Sequence, residues 1–120
     1  MTNFKRLVKL LNIMLDERQV EKIREMSTGD DKSLPLVFSA LSDPGRLQVF
    51  KMLIENQDIC VSDIANILGI SVPGACRQLT ILETSGLVEK VRKGQSTCFR
   101  VLEDNQMTKS VIRILEKVAP

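Results

Sequence analysis

Residues 62–87 constrain the fold more than any other part of the 120-residue chain. Residues 62–68 predict a short helix, and Ser62 is the expected cap because its hydroxyl can accept a backbone N–H bond. Gly69 follows, and glycine can adopt the left-handed conformation that ends a helix without steric cost. The first half of the stretch is therefore a helix followed by a tight turn.

The second half of this stretch predicts another helix. Ser71 is its expected cap, and Pro73 lies in the first turn, where a missing N–H does no harm. The helix is expected to run to about Ser85 and to end at Gly86. Two helices joined by a tight turn predict a helix-turn-helix unit, whose second helix fits a major groove of about 12 Å.

The apolar spacing of the second helix indicates which of its faces is free. Ala75, Leu79 and Leu82 recur at four and three residues, so they should face the core. Arg and Gln side chains on the remaining face can bond to guanine or adenine edges. The predicted DNA contacts on this helix and at its cap are Ser71, Val72, Pro73, Gly74, Cys76, Arg77, Gln78 and Thr80. An ordinary amphipathic helix with a solvated polar side is the alternative.

The apolar period changes from 3.6 to 2 after the second helix. Residues 87–92 and 97–102 are expected to form two strands joined by a turn over 93–96, with Gly94 at the tip. A basic tip is placed to touch phosphates or the minor groove, although surface tips also carry Lys and Gly for solubility. A hairpin after a helix-turn-helix predicts a winged helix. The predicted wing contacts are Arg92, Lys93 and Gln95.

Amphipathic helices are predicted at both ends of the chain. Residues 3–26 predict one long helix, and a last helix should begin at Glu103 or Asp104 and run to about Val118. The stripe on the first helix is wide, which favours a homodimer surface over packing on its own domain. The expected fold is mainly α with a small β-hairpin wing (α+β). The expected single domain, 1–120, comprises an N-terminal dimerisation helix and linker (1–33), a winged helix-turn-helix core (34–102) and a C-terminal dimerisation helix (103–120).

Composition narrows the class of protein. With 43% apolar and 27% charged residues the chain should fold as an ordinary soluble protein. No apolar run approaches the roughly 20 residues of a membrane span, and Asp16 and Glu17 stand where a signal peptide would need a cleavage site. Three widely spaced cysteines do not suggest a disulfide framework. A cytoplasmic protein without a membrane partner is expected.

The distribution of charge favours DNA as the partner. The net charge is only +2, but residues 77–100 hold five basic and two acidic side chains, a local charge of +3. The chain contains no histidine, so a Ser-His or Cys-His nucleophile is impossible. With no Gly-rich phosphate loop either, neither an enzyme nor a cofactor is predicted.

Residues 40–54 and 59–102 carry a family resemblance. The Leu41-Ser42-Asp43-Pro44 segment, the turn over 68–71 and the Arg92-Lys93-Gly94 wing are similar to those of the winged-helix repressors of the ArsR/SmtB family. The resemblance implies a homodimeric repressor that sits on double-stranded operator DNA and leaves it when an inducer binds. A winged helix used for protein contact is the alternative, and neither the operator nor the inducer follows from the sequence.

The inducer site departs from the family pattern. Where the family has a Cys-Val-Cys pair, this chain has Cys60-Val61-Ser62, and a single thiolate is a poor site for soft metals. Without histidine the zinc-type site also lacks its ligands, so no metal site is predicted. Cys76, beside the presumed DNA face, and Cys60 are the candidate thiol sensors. The simpler reading makes Cys60, Cys76 and Cys98 small, unreactive side chains.

Overall fold

The computed structural model describes residues 6, 15–27 and 33–118, and the chain divides into two compact units, residues 1–31 and 32–120. In the first unit, α1 spans Glu17–Ser27. The Gln19 N–H donates to Asp16 Oδ1 at 2.8 Å, and the Asp16 N–H donates to Gln19 Oε1 at 3.1 Å. This reciprocal capping starts a new helix.

The predicted single helix over 3–26 is therefore wrong at Leu15 and Asp16, which are not helical. Residues 3–5 and 7–14 of that prediction, and 28–32 of the predicted linker, lie outside the described residues. The expectation of one domain over 1–120 stays a prediction.

The second unit is mostly helical with a small antiparallel sheet, which consists of β1 (Ile59–Cys60), β2 (Val88–Lys93) and β3 (Ser96–Val101) in the order β1-β3-β2. The first strand, β1, pairs with β3 through Ile59↔Phe99 and Cys60↔Cys98. The predicted winged helix-turn-helix is confirmed. Its elements are α2 (Ser33–Leu41), α3 (Pro44–Glu55), β1 (Ile59–Cys60), α4 (Val61–Leu68), α5 (Val72–Thr84), β2 (Val88–Lys93), β3 (Ser96–Val101) and α6 (Gln106–Val118).

Local capping chemistry fixes where the two central helices start. The Arg46 N–H donates to Asp43 Oδ2 at 2.9 Å at the start of α3, and the Gly74 N–H donates to Ser71 Oγ at 3.1 Å at the start of α5. Gly69, with φ of 66°, makes the left-handed turn between α4 and α5. The predictions for Ser71 and Gly69 are confirmed.

Two predicted helix starts are wrong. Ser62 does not cap α4, because β1 runs directly into the helix and leaves Cys60 at the N-cap position. The last helix begins at Gln106 instead of 103 or 104, because Asn105 Oδ1 accepts the Met107 N–H at 2.9 Å.

The hairpin turn is tighter than predicted. β2 ends at Lys93 and β3 begins at Ser96, which leaves the two residues Gly94 and Gln95 in the turn. Gly94 has φ of 63°, a conformation that favours glycine. The predicted four-residue turn was too long because the ladder extends through the Lys93↔Ser96 pair.

The core of the second unit positions α5. Ala75, Leu79 and Leu82 are fully buried, as predicted, and the core also includes Phe50 and Phe99. Because one stripe of α5 is fixed in this way, its opposite face is held toward solvent. None of the helices within the described ranges is long and apolar enough to cross a membrane.

We expect Leu79→Ala to lower the free energy of unfolding by about 2–5 kcal/mol, because it leaves a cavity in a close-packed core. Ile81, which is 42% exposed on the same helix, provides the control. Ile81→Ala should change the free energy by less than about 1 kcal/mol in urea unfolding. Equal losses for both variants would contradict the assignment of the buried face.

Candidate nucleic-acid interface

The exposed face of α5 brings together most of the predicted DNA contacts. Val72, Pro73, Cys76, Arg77 and Thr80 are exposed. Ser71 is exposed at the cap, and Gly74 and Gln78 are half-buried at the flanks. The face combines a cationic donor with small side chains that allow close approach of a partner.

Local hydrogen bonds already engage part of this face. Ser71 Oγ accepts the Gly74 N–H, and Thr80 Oγ1 donates to the Cys76 carbonyl at 2.8 Å. Ser71 and Thr80 therefore form local hydrogen bonds to the helix backbone in addition to facing solvent. Within the described residues, Arg77 has no hydrogen-bond or ion-pair partner, so its guanidinium is available.

Gln78 is held by a residue that the sequence did not place at the site. Arg46 of α3 donates from Nη1 to Gln78 Oε1 at 3.1 Å and from Nε to the Ala40 carbonyl at 2.8 Å. A guanidinium is only a donor, so the amide oxygen must face it and the amide NH₂ remains for another acceptor. No local signal in the sequence links Arg46 to Gln78, because 32 positions separate the two residues.

The cations of the wing differ in availability. Arg92 and Gln95 are exposed, whereas Lys93 Nζ lies 3.1 Å from Asp58 Oδ2. Arg100 pairs with Glu89, whose hydrogen bond raises the pKa of the guanidinium. Because the Lys93 side chain is exposed while Asp58 is half-buried, a phosphate can reach the ammonium and replace the carboxylate.

The cysteines do not all behave as predicted. Cys60 and Cys98 form a disulfide, because pairing of β1 with β3 places them directly opposite each other. The prediction that the spacing does not suggest disulfides is therefore wrong. Cys76 is free and exposed on α5, so the two predicted thiol sensors, Cys60 and Cys76, are in different chemical states.

Comparison with known proteins identifies the family. Residues 43–90 match the model described as "Bacterial regulatory protein, arsR family". A transcriptional repressor SmtB homolog from Synechocystis is 30% identical over 93 residues, which cover 73% of this chain and 70% of that protein. The chain belongs to the ArsR/SmtB family. Its members among the curated relatives are transcriptional regulators, which favours DNA readout over the protein-contact alternative.

Solved structures support the ArsR/SmtB fold. The transcriptional repressor BigR from Xylella fastidiosa is 25% identical with a TM-score of 0.62, and the match covers 79% of this chain and 91% of BigR. A homodimeric winged helix-turn-helix DNA-binding domain from Mycobacterium bovis has a TM-score of 0.63 at 23% identity. That match covers 88% of this chain and 87% of the domain.

The ArsR family model covers α3 to the first part of β2 and so includes all of α5. It ends at Lys90, before the wing turn and before Cys98. The Cys60–Cys98 disulfide therefore joins a residue inside the family match to one beyond it.

The hydrogen bond between Arg46 and Gln78 should couple the two side chains energetically. In urea unfolding of the wild type, Arg46→Met, Gln78→Met and the double variant, we expect a coupling energy on the order of 1 kcal/mol. Strictly additive losses would show that the two side chains act independently.

Proposed function

We propose that this ArsR/SmtB-family regulator is a homodimeric repressor that places α5 in the major groove of double-stranded operator DNA. The observation that carries the proposal is the two-sided character of α5. Its buried stripe is anchored in the core, and its opposite face presents Arg77, which has no partner among the described residues, beside Cys76 and Thr80. Two-fold symmetry would set the two α5 helices about one DNA turn apart.

Base readout is assigned to Arg77 and Gln78. An arginine can bond to both O6 and N7 of guanine. The oxygen of Gln78 already accepts from Arg46, so its NH₂ suits a purine acceptor better than the donor-and-acceptor edge of adenine. The residues proposed to line the DNA are Ser71, Val72, Pro73, Gly74, Cys76, Arg77, Gln78 and Thr80 from α5 and its cap, and Arg92, Lys93 and Gln95 from the wing.

The two kinds of contact should respond differently to substitution. In fully reduced protein, Arg77→Ala should weaken the free energy of binding to an operator selected from random DNA by on the order of 1–3 kcal/mol, and it should relax the sequence preference. Lys93→Ala should weaken all sequences similarly and lower the slope of log affinity against log salt by about one. Fluorescence anisotropy over a salt series measures both effects.

Glu55→Ala, at an exposed position at the end of α3 and outside the proposed DNA and dimer contacts, is the control and should leave affinity unchanged. If Arg77→Ala and Lys93→Ala behave alike on selected and random DNA, the division between base and phosphate contacts is wrong. If wild-type reduced protein shows no preference for any selected DNA, the proposed function itself fails.

Apolar side chains on α6 support the proposed dimer. Val111, Ile112 and Leu115 pack against the core of their own unit. Ile114 and Val118 remain 58% and 74% exposed on the same helix. Burying such side chains contributes about 1.5–3 kcal/mol each by transfer estimates, which favours a second copy as their cover.

Ile114→Glu should shift sedimentation toward the monomer, because dimerisation would then bury a charge. Deleting residues 1–20 should give monomers or insoluble protein, since the N-terminal segment is the other proposed dimer element. Arg113→Glu, at the neighbouring exposed position, is the control for added charge. If both test variants remain stable dimers, neither terminal segment forms the dimer interface.

We also propose that the family's metal position does not bind metal in this chain. The protein is further proposed to act in the cytoplasm and to have no catalytic role. Ser62 stands where the second thiolate would be needed, and the chain has no histidine to supply an imidazole ligand. Any inducer is of another kind.

Cys76 is proposed as one thiol sensor, because its free sulfur lies on the proposed DNA face. Oxidation to a sulfenic acid would place polar bulk where a base edge must approach. Peroxide should then lower the operator affinity of wild type more than that of Cys76→Ser. Equal responses would make Cys76 a contact residue and not a sensor.

A further inference from the structure

The Cys60–Cys98 disulfide joins the wing to the helix-turn-helix. Cys98 lies in β3, and Cys60 ends β1 and is the N-cap residue of α4. The two Cα atoms are 3.8 Å apart, and 38 positions separate the residues along the chain. Without the bond, β1 would be held to β3 by a ladder of only two residue pairs. The disulfide is thus the covalent part of a short junction between two elements proposed to touch DNA.

A permanently oxidised, purely structural disulfide would be unusual in a DNA-binding regulator. A regulator that binds the operator works in the compartment that holds the DNA, where thiols are kept reduced. Disulfides there are usually transient, catalytic or redox-sensing. A cysteine pair placed for bonding in such a protein is expected to cycle between dithiol and disulfide.

We propose that Cys60 and Cys98 form a reversible oxidation site for hydroperoxides, and that the disulfide form binds operator DNA less tightly than the dithiol form. This inference rests on the proposed DNA-binding function. This oxidation site is distinct from the role proposed for Cys76. It would act through the pairing of β1 with β3, whereas oxidised Cys76 would act by adding a larger side chain to α5.

The chemistry needs two thiols and one hydroperoxide. Cys60 is half-buried and Cys98 fully buried, so the Cys60 sulfur is the one that reaches the oxidant. Its thiolate attacks the peroxide, the O–O bond breaks, and the alkoxide leaves as an alcohol after taking a proton. The Cys98 sulfur then attacks the resulting sulfenic acid, forms the S–S bond and releases water. A reducing dithiol returns two electrons and two protons and is itself oxidised to a disulfide.

The charges near the junction give the direction of the effect. In the disulfide form, Asp58, two residues before Cys60, holds the ammonium of Lys93, a proposed phosphate contact. The other carboxylate oxygen of Asp58 is buried without a hydrogen-bond partner within the described residues, an arrangement that costs free energy. Release of β1 from β3 would let Asp58 hydrate and free Lys93 for a phosphate. The dithiol form should therefore be the tighter binder.

The test uses the full-length protein and an operator selected from random DNA with reduced protein. Affinity is measured by anisotropy over a salt series after treatment with dithiothreitol or with hydrogen peroxide. Alkylation followed by mass spectrometry should count three labelled cysteines in the reduced protein and fewer than two after oxidation. We expect oxidation to weaken binding by about 2- to 5-fold, because the difference rests on one partly exposed ion pair that competes with a phosphate for Lys93. The salt slope should fall by about one, for the lost phosphate contact.

Matched variants assign the response to its residues. Cys60→Ser and Cys98→Ala should bind like reduced wild type after both treatments, apart from any response of Cys76. The comparison is therefore made in a Cys76→Ser background, which keeps the pair intact. Asp58→Asn, which weakens the hold on Lys93, should reduce the change in salt slope while leaving thiol oxidation unchanged.

Three results would overturn the inference: full alkylation of Cys60 and Cys98 after peroxide, equal affinity of the two forms, or an undiminished response in Cys60→Ser. Thiol counting in the Cys76→Ser protein decides the matter even if Cys98→Ala does not fold. Absence of selective binding by reduced protein would instead reject the proposed function, so the two failures are distinguishable.

Discussion

Burial of one stripe of α5 is the constraint on which the rest of the structure depends. Ala75, Leu79 and Leu82 have no exposed surface, and close packing in a protein core tolerates little change in volume. The helix cannot rotate about its axis without exposing this stripe, so the direction of Arg77 is set by apolar contacts on the opposite side. The proposed readout of DNA by this helix therefore depends first on apolar packing and only then on charge.

Polar contacts refine what packing establishes. Arg46 links the end of α2 to α5 and orients the amide of Gln78, so part of the reading face is set by a residue of α3. On the wing, Lys93 already has a carboxylate partner, and the proposed contact with DNA would exchange that partner for a phosphate. Asp58 is half-buried whereas Lys93 is exposed, so the exchange depends on how the base of the wing holds Asp58.

Local signals predicted much of the fold, and contacts distant in sequence were the part that failed. Gly69 and Ser71 located the turn because helix ends depend on residues within one turn of the chain. The reciprocal capping of Asp16 and Gln19 is also local. The apolar spacing continues past Asp16, however, and so it predicted one continuous helix. The disulfide of Cys60 and Cys98 follows from strand pairing across 38 positions, and spacing along the chain carries no record of that pairing.

The most direct measurement of the central claim places a DNA-cleaving group on α5 outside the proposed contacts. An iron chelate is attached to the single thiol of a Thr84→Cys variant, at the exposed C-terminal end of α5, in a Cys60→Ala, Cys76→Ser, Cys98→Ala background, and it reports which bases lie beside the helix. If a two-fold dimer places both α5 helices in the major groove, the selected operator should be cut at two clusters about 10 base pairs apart. Uniform cutting, or none on DNA that the labelled protein still binds, would show that α5 is not the reading helix.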